Sequence, residues 1–581
     1  MNNQASGLSR RDALRLASAA GLAGVVSILP GRQSFAAAGP ALELAVERTR
    51  ITVDGVTTRA IAIGGSIPAP TLRWREGEEV VVQVTNRLDE PTSIHWHGLL
   101  LEGVMDGSPG FNGFEPIRPG QTYTYRFQLR QAGTYWYHSH SASQEQEGMY
   151  GAIIIDPAGK EPVRADRDYV VFLSDHTAQK PETVLRNLKV SEGYYNRGKR
   201  TLSDFFNDAE RDGLKATIRD RLDWGDMRMD ATDLADVTGY QFLINGKGPR
   251  DNWTALYKPG ERVRLRIING SAMSIFDVRI PGLSMIVVAA DGQNVMPVKV
   301  DEFRFGVGET YDVIVMPEGD KPFTFLAEPI DRSGYARATI AVAEGMEAPI
   351  PELRPRTILT MEDMGMAHAG MGEGSMDHST MSQGSGGMDH GAMGHGAMPG
   401  MDPGAMNHAS MAGMTHGGMA AASQGRPLGW ADAATPMGMK ALSYDDLKSL
   451  TKSKDLRQPT HEIEVQLTGM MSRYIWTLNG QKFDQGEPIR VAYGDRIRIR
   501  FVNTTMMAHP MHLHGMFMEL ENGQTDRMPR KHVVLVPPGQ STSVQLTADE
   551  PGEWPFHCHL LYHMASGMMT RFIVAPKTAS L

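Results

Sequence analysis

The sequence predicts an all-β protein of three β-sandwich domains, and three observations support this prediction. Short runs of alternating apolar residues, such as residues 79–84 (EVVVQV), recur between segments rich in glycine and proline, as strands and turns do. One pattern of strand, asparagine and fixed spacing occurs three times along the 581-residue chain, which indicates three copies of one unit. Pairs of histidines stand at equivalent positions in the outer two copies, so we expect these copies to bind metal.

The first 36 residues are predicted to be an export signal and not part of the fold. The triplet SRR at 9–11 precedes a mildly apolar stretch at 13–29, and residues 34–36 (SFA) form a small-x-small cleavage site. This pattern is typical of a twin-arginine signal, so we expect a periplasmic protein. The alternative is a chance pair of arginines in a tail. No later segment of the sequence is apolar enough to predict a membrane span.

The repeat has two anchors, an asparagine at the end of a strand and a glycine further along. Residues nine and eleven positions after Asn86, Asn269 and Asn503 are His95 and His97, Val278 and Ile280, and His512 and His514. Residues eighteen and twenty positions after Gly120, Gly308 and Gly539 are His138 and His140, Leu326 and Glu328, and His557 and His559. The predicted domains are 43–160, 165–345 and 456–577, with a linker at 346–455 and with metal ligands in the outer domains only.

Charge excludes one class of partner. The net charge of −9 is spread along the chain. The sequence has no basic patch of the kind that binds nucleic acid. Nothing in the sequence predicts an oligomer, and we expect a monomer.

The His-x-His spacing has a geometric meaning on a strand. Side chains two residues apart point to the same face, so each pair presents two imidazoles in one direction. There are four such pairs, at positions 95/97, 138/140, 512/514 and 557/559. If the first and third domains pack face to face, these eight imidazoles can hold a cluster of three copper ions.

Cys558 is the only cysteine in the chain and lies between the two histidines of the last pair. Strand alternation turns its thiol to the opposite side, where His509 and His563 can converge with it. Met568 is placed to be a weak axial ligand, and a thiolate with two imidazoles and a thioether is the donor set of a blue-copper site. The alternative is a buried free cysteine that acts as a small apolar residue.

Four segments resemble the ligand motifs of the multicopper oxidases: residues 95–98 (HWHG), 138–140 (HSH), 509–515 (HPMHLHG) and 557–563 (HCHLLYH). The resemblance covers the chain after the export signal. It implies three cupredoxin-like, Greek-key domains, four copper ions, and dioxygen reduced to water with electrons that enter at type 1 copper and pass through Cys558. By motif position, the implied ligands are His509, Cys558, His563 and Met568 for type 1 copper, His95 and His512 for type 2, and His97, His138, His140, His514, His557 and His559 for the type 3 pair.

The resemblance also concerns the protons that dioxygen reduction consumes. Asp106 matches an acid that bacterial members place near the three-copper centre, and we predict a catalytic role for it. The alternative is a turn aspartate before Gly107. Some relatives carry a second acid directly after the residue equivalent to His563. This chain has Met564 and Ala565 there, so a second proton donor is absent or lies elsewhere.

A Met/His-rich insert, residues 361–419, lies between the second and third domains and contains fourteen methionines and six histidines. Thioethers and imidazoles suit copper, with the thioether favouring Cu(I), so we predict additional copper here. The composition cannot bury a core, and we expect most of the insert to be disordered or loosely helical without metal. The alternative is a flexible linker without chemistry.

The insert, the export signal and residues 526–532 (DRMPRKH) are similar to the copper-resistance protein A group of this family. The resemblance implies oxidation of Cu(I) to Cu(II), with a periplasmic copper chaperone among the implied partners. Alternatives are a laccase-like phenol or catechol oxidase, and a copper-sequestering protein with incidental oxidase activity. Candidates for holding substrate Cu(I) are Met361, Asp363, Met364 and Asp484. Three histidines outside every motif are expected to be structural or surface residues: His176, His461 and His532.

Overall fold

The computed structural model describes residues 41–227, 229–360 and 435–575. The predicted export signal and the Met/His-rich insert lie outside the described residues, and so do Met361, Asp363 and Met364. Within the described ranges, strands predominate and form pairs of packed sheets, which confirms the predicted all-β sandwich class. No helix among the described residues is long and apolar enough to cross a membrane.

The first domain is a sandwich of two four-stranded sheets. Its strands are β1 (Leu42–Val53), β2 (Val56–Ile63), β3 (Ala69–Arg75), β4 (Glu79–Asn86), β5 (His95–His97), β6 (Thr122–Gln128), β7 (Gly133–His138) and β8 (Tyr150–Asp156). One sheet has the order β2-β1-β4-β6 and the other the order β3-β8-β7-β5. Val80, Val82 and Val84 alternate along β4 and are buried, so the apolar half of this strand contributes to the core between the sheets.

The second domain repeats this architecture with more strands. They are β9 (Arg167–His176), β10 (Gln241–Ile244), β11 (Trp253–Leu256), β12 (Val263–Asn269), β13 (Phe276–Arg279), β14 (Met285–Ala290), β15 (Gln293–Val300), β16 (Glu302–Phe305), β17 (Thr310–Val315), β18 (Phe323–Pro329) and β19 (Ala336–Ala341). The two sheets have the orders β10-β9-β12-β17-β14-β15 and β11-β19-β18-β13-β16. Val278 and Ile280 are buried in the apolar core, where the outer copies place histidines.

Three helices of the second domain are not predicted by the strand pattern: α1 (Pro181–Val190), α2 (Leu202–Asp212) and α3 (Leu214–Asp226). Local signals explain where they begin. Pro181 occupies the first turn of α1, and Thr201 and Asp204 form a capping box at the start of α2. Residues 229–240, which follow α3 in the sequence, lead back to the sheet and include Asp236, which contacts the metal centre described below.

The third domain has the same strand order as the second. Its elements are β20 (His461–Met470), β21 (Ile475–Leu478), β22 (Ile489–Ala492), β23 (Arg496–Asn503), β24 (His509–Leu513), β25 (Met518–Leu520), β26 (Arg530–Lys531), β27 (Val533–Val536), β28 (Ser541–Thr547), β29 (Gly552–Cys558), α4 (Leu561–Ala565) and β30 (Met569–Ala575). The sheets run β21-β20-β23-β28-β25-β26 and β22-β30-β29-β24-β27. Because β24 and β29 are neighbours, the ligand motifs on these two strands lie side by side.

A buried ion cluster joins the second and third domains. Lys531 Nζ lies 3.1 Å from Asp291 and 2.9 Å from Glu309, and all three side chains are fully buried. Burial alone lowers the pKa of Lys531, but the attraction of the two carboxylates outweighs it and raises the pKa above its usual value. Tyr444, which lies shortly after the insert, donates a hydrogen bond of 2.7 Å to Glu309. The return of the chain from the insert is therefore anchored in this interface.

Candidate metal centre

Two neighbouring strands in each outer domain carry the histidine pairs. In the first domain β5 pairs antiparallel with β7, with His95 opposite His138. In the third domain β24 pairs antiparallel with β29, with His512 opposite His557. Each strand turns alternate side chains to one face, so both histidines of a pair leave the sheet in the same direction.

These faces meet, and we call the resulting group the histidine cluster: His95, His97, His138, His140, His512, His514, His557 and His559. Ring nitrogens approach each other across the two domains. His97 Nδ1 lies 3.2 Å from His559 Nε2, and His140 Nε2 lies 3.5 Å from His557 Nε2. His140 is half-buried and the other members are buried. The first and third domains thus pack face to face at this point.

Hydrogen bonds on the outer side orient the imidazoles. The Nδ1 atoms of His95 and His512 donate to the backbone carbonyls of Asp106 (3.0 Å) and His532 (2.7 Å). The Nδ1 atom of His138 lies 2.9 Å from a carboxylate oxygen of Glu145. With the proton on Nδ1, each Nε2 lone pair is free, and among the described residues the buried Nε2 atoms of these three histidines have no hydrogen-bond partner.

Burial lowers the pKa of seven imidazoles of the cluster and so favours their neutral form: His97, His138, His140, His512, His514, His557 and His559. Burial lowers the pKa of His97, and the nearby ring of His512 lowers it further. Burial likewise lowers the pKa of His557 to about 4. Neutral imidazole is the form that binds a metal, and several unpartnered lone pairs directed at one another are costly in a buried space without one. The donor set therefore fits a group of metal ions.

A second donor set, which we call the cysteine site, lies on the other face of β29. Cys558 Sγ is 3.6 Å from His509 Nδ1 and 3.7 Å from His563 Nδ1, and the two Nδ1 atoms are 3.1 Å apart. Met568 is fully buried nearby, and its carbonyl accepts the backbone N–H of Cys558 at 3.0 Å. Burial raises the pKa of the Cys558 thiol, so the thiolate forms here when a metal replaces the proton.

Residues outside the sequence motifs support the cysteine site. His563 Nε2 lies 2.6 Å from Asp236 Oδ2, which also accepts a hydrogen bond of 2.8 Å from Tyr474. Thr505 Oγ1 lies 2.7 Å from His509 Nε2, and the Trp476 ring stacks on His563 with 3.8 Å between centroids. Asp236 belongs to the second domain and lies 327 residues before His563 in the sequence, so no local pattern reveals it.

The predicted acid Asp106 lies directly against the histidine cluster. Its carboxylate is 3.0 Å from His514 Nδ1 and accepts a hydrogen bond of 2.6 Å from Ser108. Asp106 is 2% exposed, so it is a buried group at the cluster and not an ordinary exposed turn residue.

Asp484 lies elsewhere, exposed in a surface pocket of about 280 Å³ that Tyr474 and Met564 also line. Tyr474 connects this pocket to the cysteine site, because it hydrogen-bonds to Asp236, which contacts His563. Met564 directly follows His563 in the chain.

Of the two roles expected for His532, structural or surface, the structure excludes the surface one, because its side chain is buried beside the histidine cluster. Its buried ring packs against His97, with 4.8 Å between centroids, and its carbonyl orients His512. Burial lowers its pKa to about 4, and neither ring nitrogen has a hydrogen-bond partner among the described residues. The other two histidines match the expectation. His176 bonds to Thr58 on the side of the first domain, and His461 is exposed.

The chemistry of the two donor sets identifies the metal class. A buried thiolate with two imidazoles and a thioether nearby suits copper, and a cluster of neutral imidazoles suits copper as well. The strand that ends at Cys558 serves both sets, because its alternate side chains point to opposite faces.

Comparisons with known proteins agree with this geometry. Family models described as multicopper oxidase match residues 45–160, 167–345 and 456–578. Copper resistance protein A of Escherichia coli is 49% identical over 556 residues, which cover 91% of this chain and 92% of that protein. Copper resistance protein A of Pseudomonas syringae pv. tomato is 46% identical, over 96% of this chain and 98% of that protein. Among solved structures, Fet3p, titled a multicopper oxidase that functions in iron import, has a TM-score of 0.63 at 18% identity and covers 92% of this chain and 90% of its own.

Proposed function

Because this chain belongs to the multicopper oxidase family, we propose that it is an exported four-copper oxidase that oxidises Cu(I) in copper resistance. Membership of the family makes it an oxidoreductase with copper cofactors. The two copper resistance proteins that are 49% and 46% identical to this chain over nearly its whole length support the role in copper resistance.

In this proposal the two donor sets hold different coppers. The cysteine site holds type 1 copper with His509, Cys558, His563 and Met568. The histidine cluster holds type 2 copper with His95 and His512 and the type 3 pair with the other six histidines: His97, His138, His140, His514, His557 and His559. The observation that carries the proposal is the position of Cys558, whose neighbours on both sides, His557 and His559, belong to the cluster. A covalent path of one residue thus joins the two sets.

When bound, copper supplies the redox chemistry, with one-electron oxidation of substrate at the type 1 site and four-electron reduction of dioxygen to water at the three-copper site. The chain's own residues keep the imidazoles neutral by burial and aim their lone pairs inward. Asp106 holds the Nδ1 side of His514 and is hydrogen-bonded to Ser108. We assign to Asp106 the delivery of protons to the cluster, because its carboxylate contacts two proposed ligands there, His95 at 3.3 Å and His514 at 3.0 Å.

The surroundings of the cysteine site favour a cationic substrate over a neutral phenol. Asp233 and Asp236 are both buried, and each has a carboxylate oxygen without a hydrogen-bond partner among the described residues. Burial raises the pKa of Asp233 well above its usual range, and the charges of Asp236 and Asp230 raise it further, while Lys199 opposes this in part. Such a cluster is stabilised by a nearby cation. Asp236 also contacts His563, which gives the electron a short path from this region to the proposed type 1 copper.

Of the predicted substrate ligands, Asp484 lies in the surface pocket that Tyr474 and Met564 also line. We keep Met361, Asp363 and Met364 as proposed partners for Cu(I), together with additional copper in the segment 361–419. Leu359, two residues before Met361, donates its backbone N–H to the carbonyl of Ala231 at 2.7 Å. The chain therefore enters the insert beside the segment that carries Asp233 and Asp236.

The test is dioxygen uptake by the fully copper-loaded protein, with Cu(I) and a dimethoxyphenol supplied separately. We expect fast turnover at low Cu(I) and little phenol oxidation until Cu(II) is added. Brisk phenol oxidation without added copper, with slow Cu(I) oxidation, would instead identify a laccase. Negligible uptake with either substrate, despite four bound coppers, would identify a sequestering protein.

Two variants check separate parts of the proposal. Cys558→Ser should abolish the intense blue absorption of type 1 copper, and a blue protein would refute the ligand assignment. Deletion of residues 361–419 should reduce Cu(I) turnover at low copper. Unchanged Cu(I) turnover would remove the insert from the substrate path and leave the oxidase assignment intact.

A further inference from the structure

A turn formed by Gln144, Glu145 and Gln146 follows the second histidine pair and is almost completely buried. These side chains are 2%, 3% and 3% exposed, although all three are polar. Buried polar groups are normally hydrogen-bonded, so the partners of this turn indicate what it does. We call residues 144–146 the QEQ turn.

The two glutamines fix the turn on opposite sides. Gln144 Oε1 accepts hydrogen bonds from Ser139, which stands between His138 and His140, at 2.9 Å, and from Thr92 at 2.8 Å. Gln146 Oε1 accepts hydrogen bonds from Tyr240 of the second domain at 3.0 Å and from Tyr562 of the third domain at 2.5 Å. Tyr562 directly precedes His563. The QEQ turn is therefore held between the histidine cluster and the loop of the cysteine site.

Glu145, in the middle of the turn, contacts the cluster itself. Its Oε2 atom lies 2.9 Å from His138 Nδ1, and its Oε1 atom has no hydrogen-bond partner among the described residues. His138 Nδ1 has a second acceptor, the carbonyl of Ser139 at 3.0 Å. The Nδ1–H hydrogen-bonds to the Ser139 carbonyl, and the Glu145 carboxylate lies beside it at 2.9 Å, so both oxygens attract the proton of this imidazole.

We propose that Glu145 is a positioning residue for the three-copper centre. Together with the carbonyl of Ser139, its carboxylate attracts the Nδ1–H of His138 and thereby keeps the unpartnered Nε2 of that imidazole directed into the cluster. The inference rests on the proposed function, because His138 is a proposed ligand of the type 3 pair. It adds a residue that none of the ligand motifs contains.

The burial of Glu145 supports this role over that of a space-filling residue. A buried carboxylate costs several kcal/mol unless a charge or hydrogen bonds compensate it. No lysine or arginine forms an ion pair with Glu145 within the described ranges, and its one ionisable partner is His138. Metal bound at the cluster would supply, beyond the imidazole, the positive charge that compensates the carboxylate. The glutamines on each side hold the turn rigid, so the acceptor is in place before metal binds.

The test uses the full-length protein with three variants. Glu145→Met keeps the side-chain length but removes the acceptor, and Glu145→Gln keeps an acceptor without the charge. Glu147→Met is the matched control, because Glu147 is two residues away and its carboxylate faces Arg48 near the surface at 3.7 Å. The measurements are bound copper after dialysis against a chelator, the fraction of copper detected by electron paramagnetic resonance, and the melting temperature of the copper-free protein.

We expect Glu145→Met to retain copper in the histidine cluster with an affinity lowered about 10- to 100-fold, as loss of an outer hydrogen-bond partner does. Type 1 absorption should persist, and Glu145→Gln should recover most of the affinity. Wild-type copper retention in Glu145→Met would overturn the inference. Two other results would also overturn it. One is a loss of copper in Glu145→Gln as large as that in Glu145→Met. The other is a lower melting temperature of copper-free Glu145→Met, which would show that the variant loses copper because its fold is destabilised. A wild-type protein without cluster copper would instead refute the proposed function.

Discussion

Replacing Lys531 by methionine should destabilise the interface between the second and third domains strongly. The ammonium lies 3.1 Å from Asp291 and 2.9 Å from Glu309, and none of the three side chains is exposed. Methionine removes the charge that balances two buried carboxylates, and removal of one partner from a buried ion pair costs about 3–5 kcal/mol. At about 2–4 °C per kcal/mol for domains of this size, the melting temperature should fall by roughly 6–20 °C.

Calorimetry of the copper-free protein measures this, because bound metal would stabilise the folded state and mask the loss. The control is the triple variant Lys531→Met, Asp291→Asn, Glu309→Gln, in which no buried charge is left unpaired. Neutral replacement of a whole buried ion cluster is often tolerated, so the triple variant should recover most of the melting temperature. A single variant that loses less than about 1 kcal/mol would refute the reasoning, since the carboxylates would then be compensated by other groups.

Three further predictions concern the metal centre. Asp236→Asn removes a negative charge that is hydrogen-bonded to His563. The reduction potential of type 1 copper, measured by redox titration, should therefore rise by roughly tens of millivolts. An unchanged potential would exclude an electrostatic role for Asp236. Asp106→Asn should slow the reaction of the reduced enzyme with dioxygen at least about tenfold, while the rate of reduction by substrate stays at the wild-type value. Equal slowing of both rates would argue against proton delivery by Asp106. Because burial lowers the pKa of cluster histidines such as His97 and His514 in the fold, and that of His557 to about 4, the folded state binds fewer protons than the unfolded state. The copper-free protein should therefore lose stability as pH falls from about 6.5 to about 4, and constant stability over this window would contradict the burial of neutral imidazoles.

Strand periodicity predicted those parts of the site that lie on single strands. The direction of the His512 and His514 side chains follows from alternation along β24 and just beyond it, and the position of Cys558 opposite the cluster follows from β29. The repeat also predicted a middle copy without ligands, where Val278 is buried in an apolar core. These features depend on local geometry, and the sequence contains that information.

The supporting residues were not predicted, because their roles depend on contacts between distant parts of the chain. Asp236 reaches His563 across 327 residues, and Gln146 reaches Tyr562 across 416. His532 was placed outside the site because it lies outside every motif, yet its own carbonyl orients His512. A lone aspartate, glutamine or histidine has many possible partners, and one sequence gives no means to choose between them.

The second domain has no ligands in its own copy of the repeat, but it shapes both donor sets. Asp236 orients a ligand of the cysteine site, and Asp291 accepts the backbone N–H of His532 at 3.1 Å, next to the carbonyl that holds His512. Gly308 lies against the histidine cluster with φ of 89°, and a Cβ atom there would come within 3.1 Å of the rings of His97 and His559. A side chain at this position would be strained by its backbone and would press on two proposed ligands. The middle copy thus carries no ligands of its own, but its surface fits those of its neighbours, and a correctly aligned copper centre requires all three domains to be assembled.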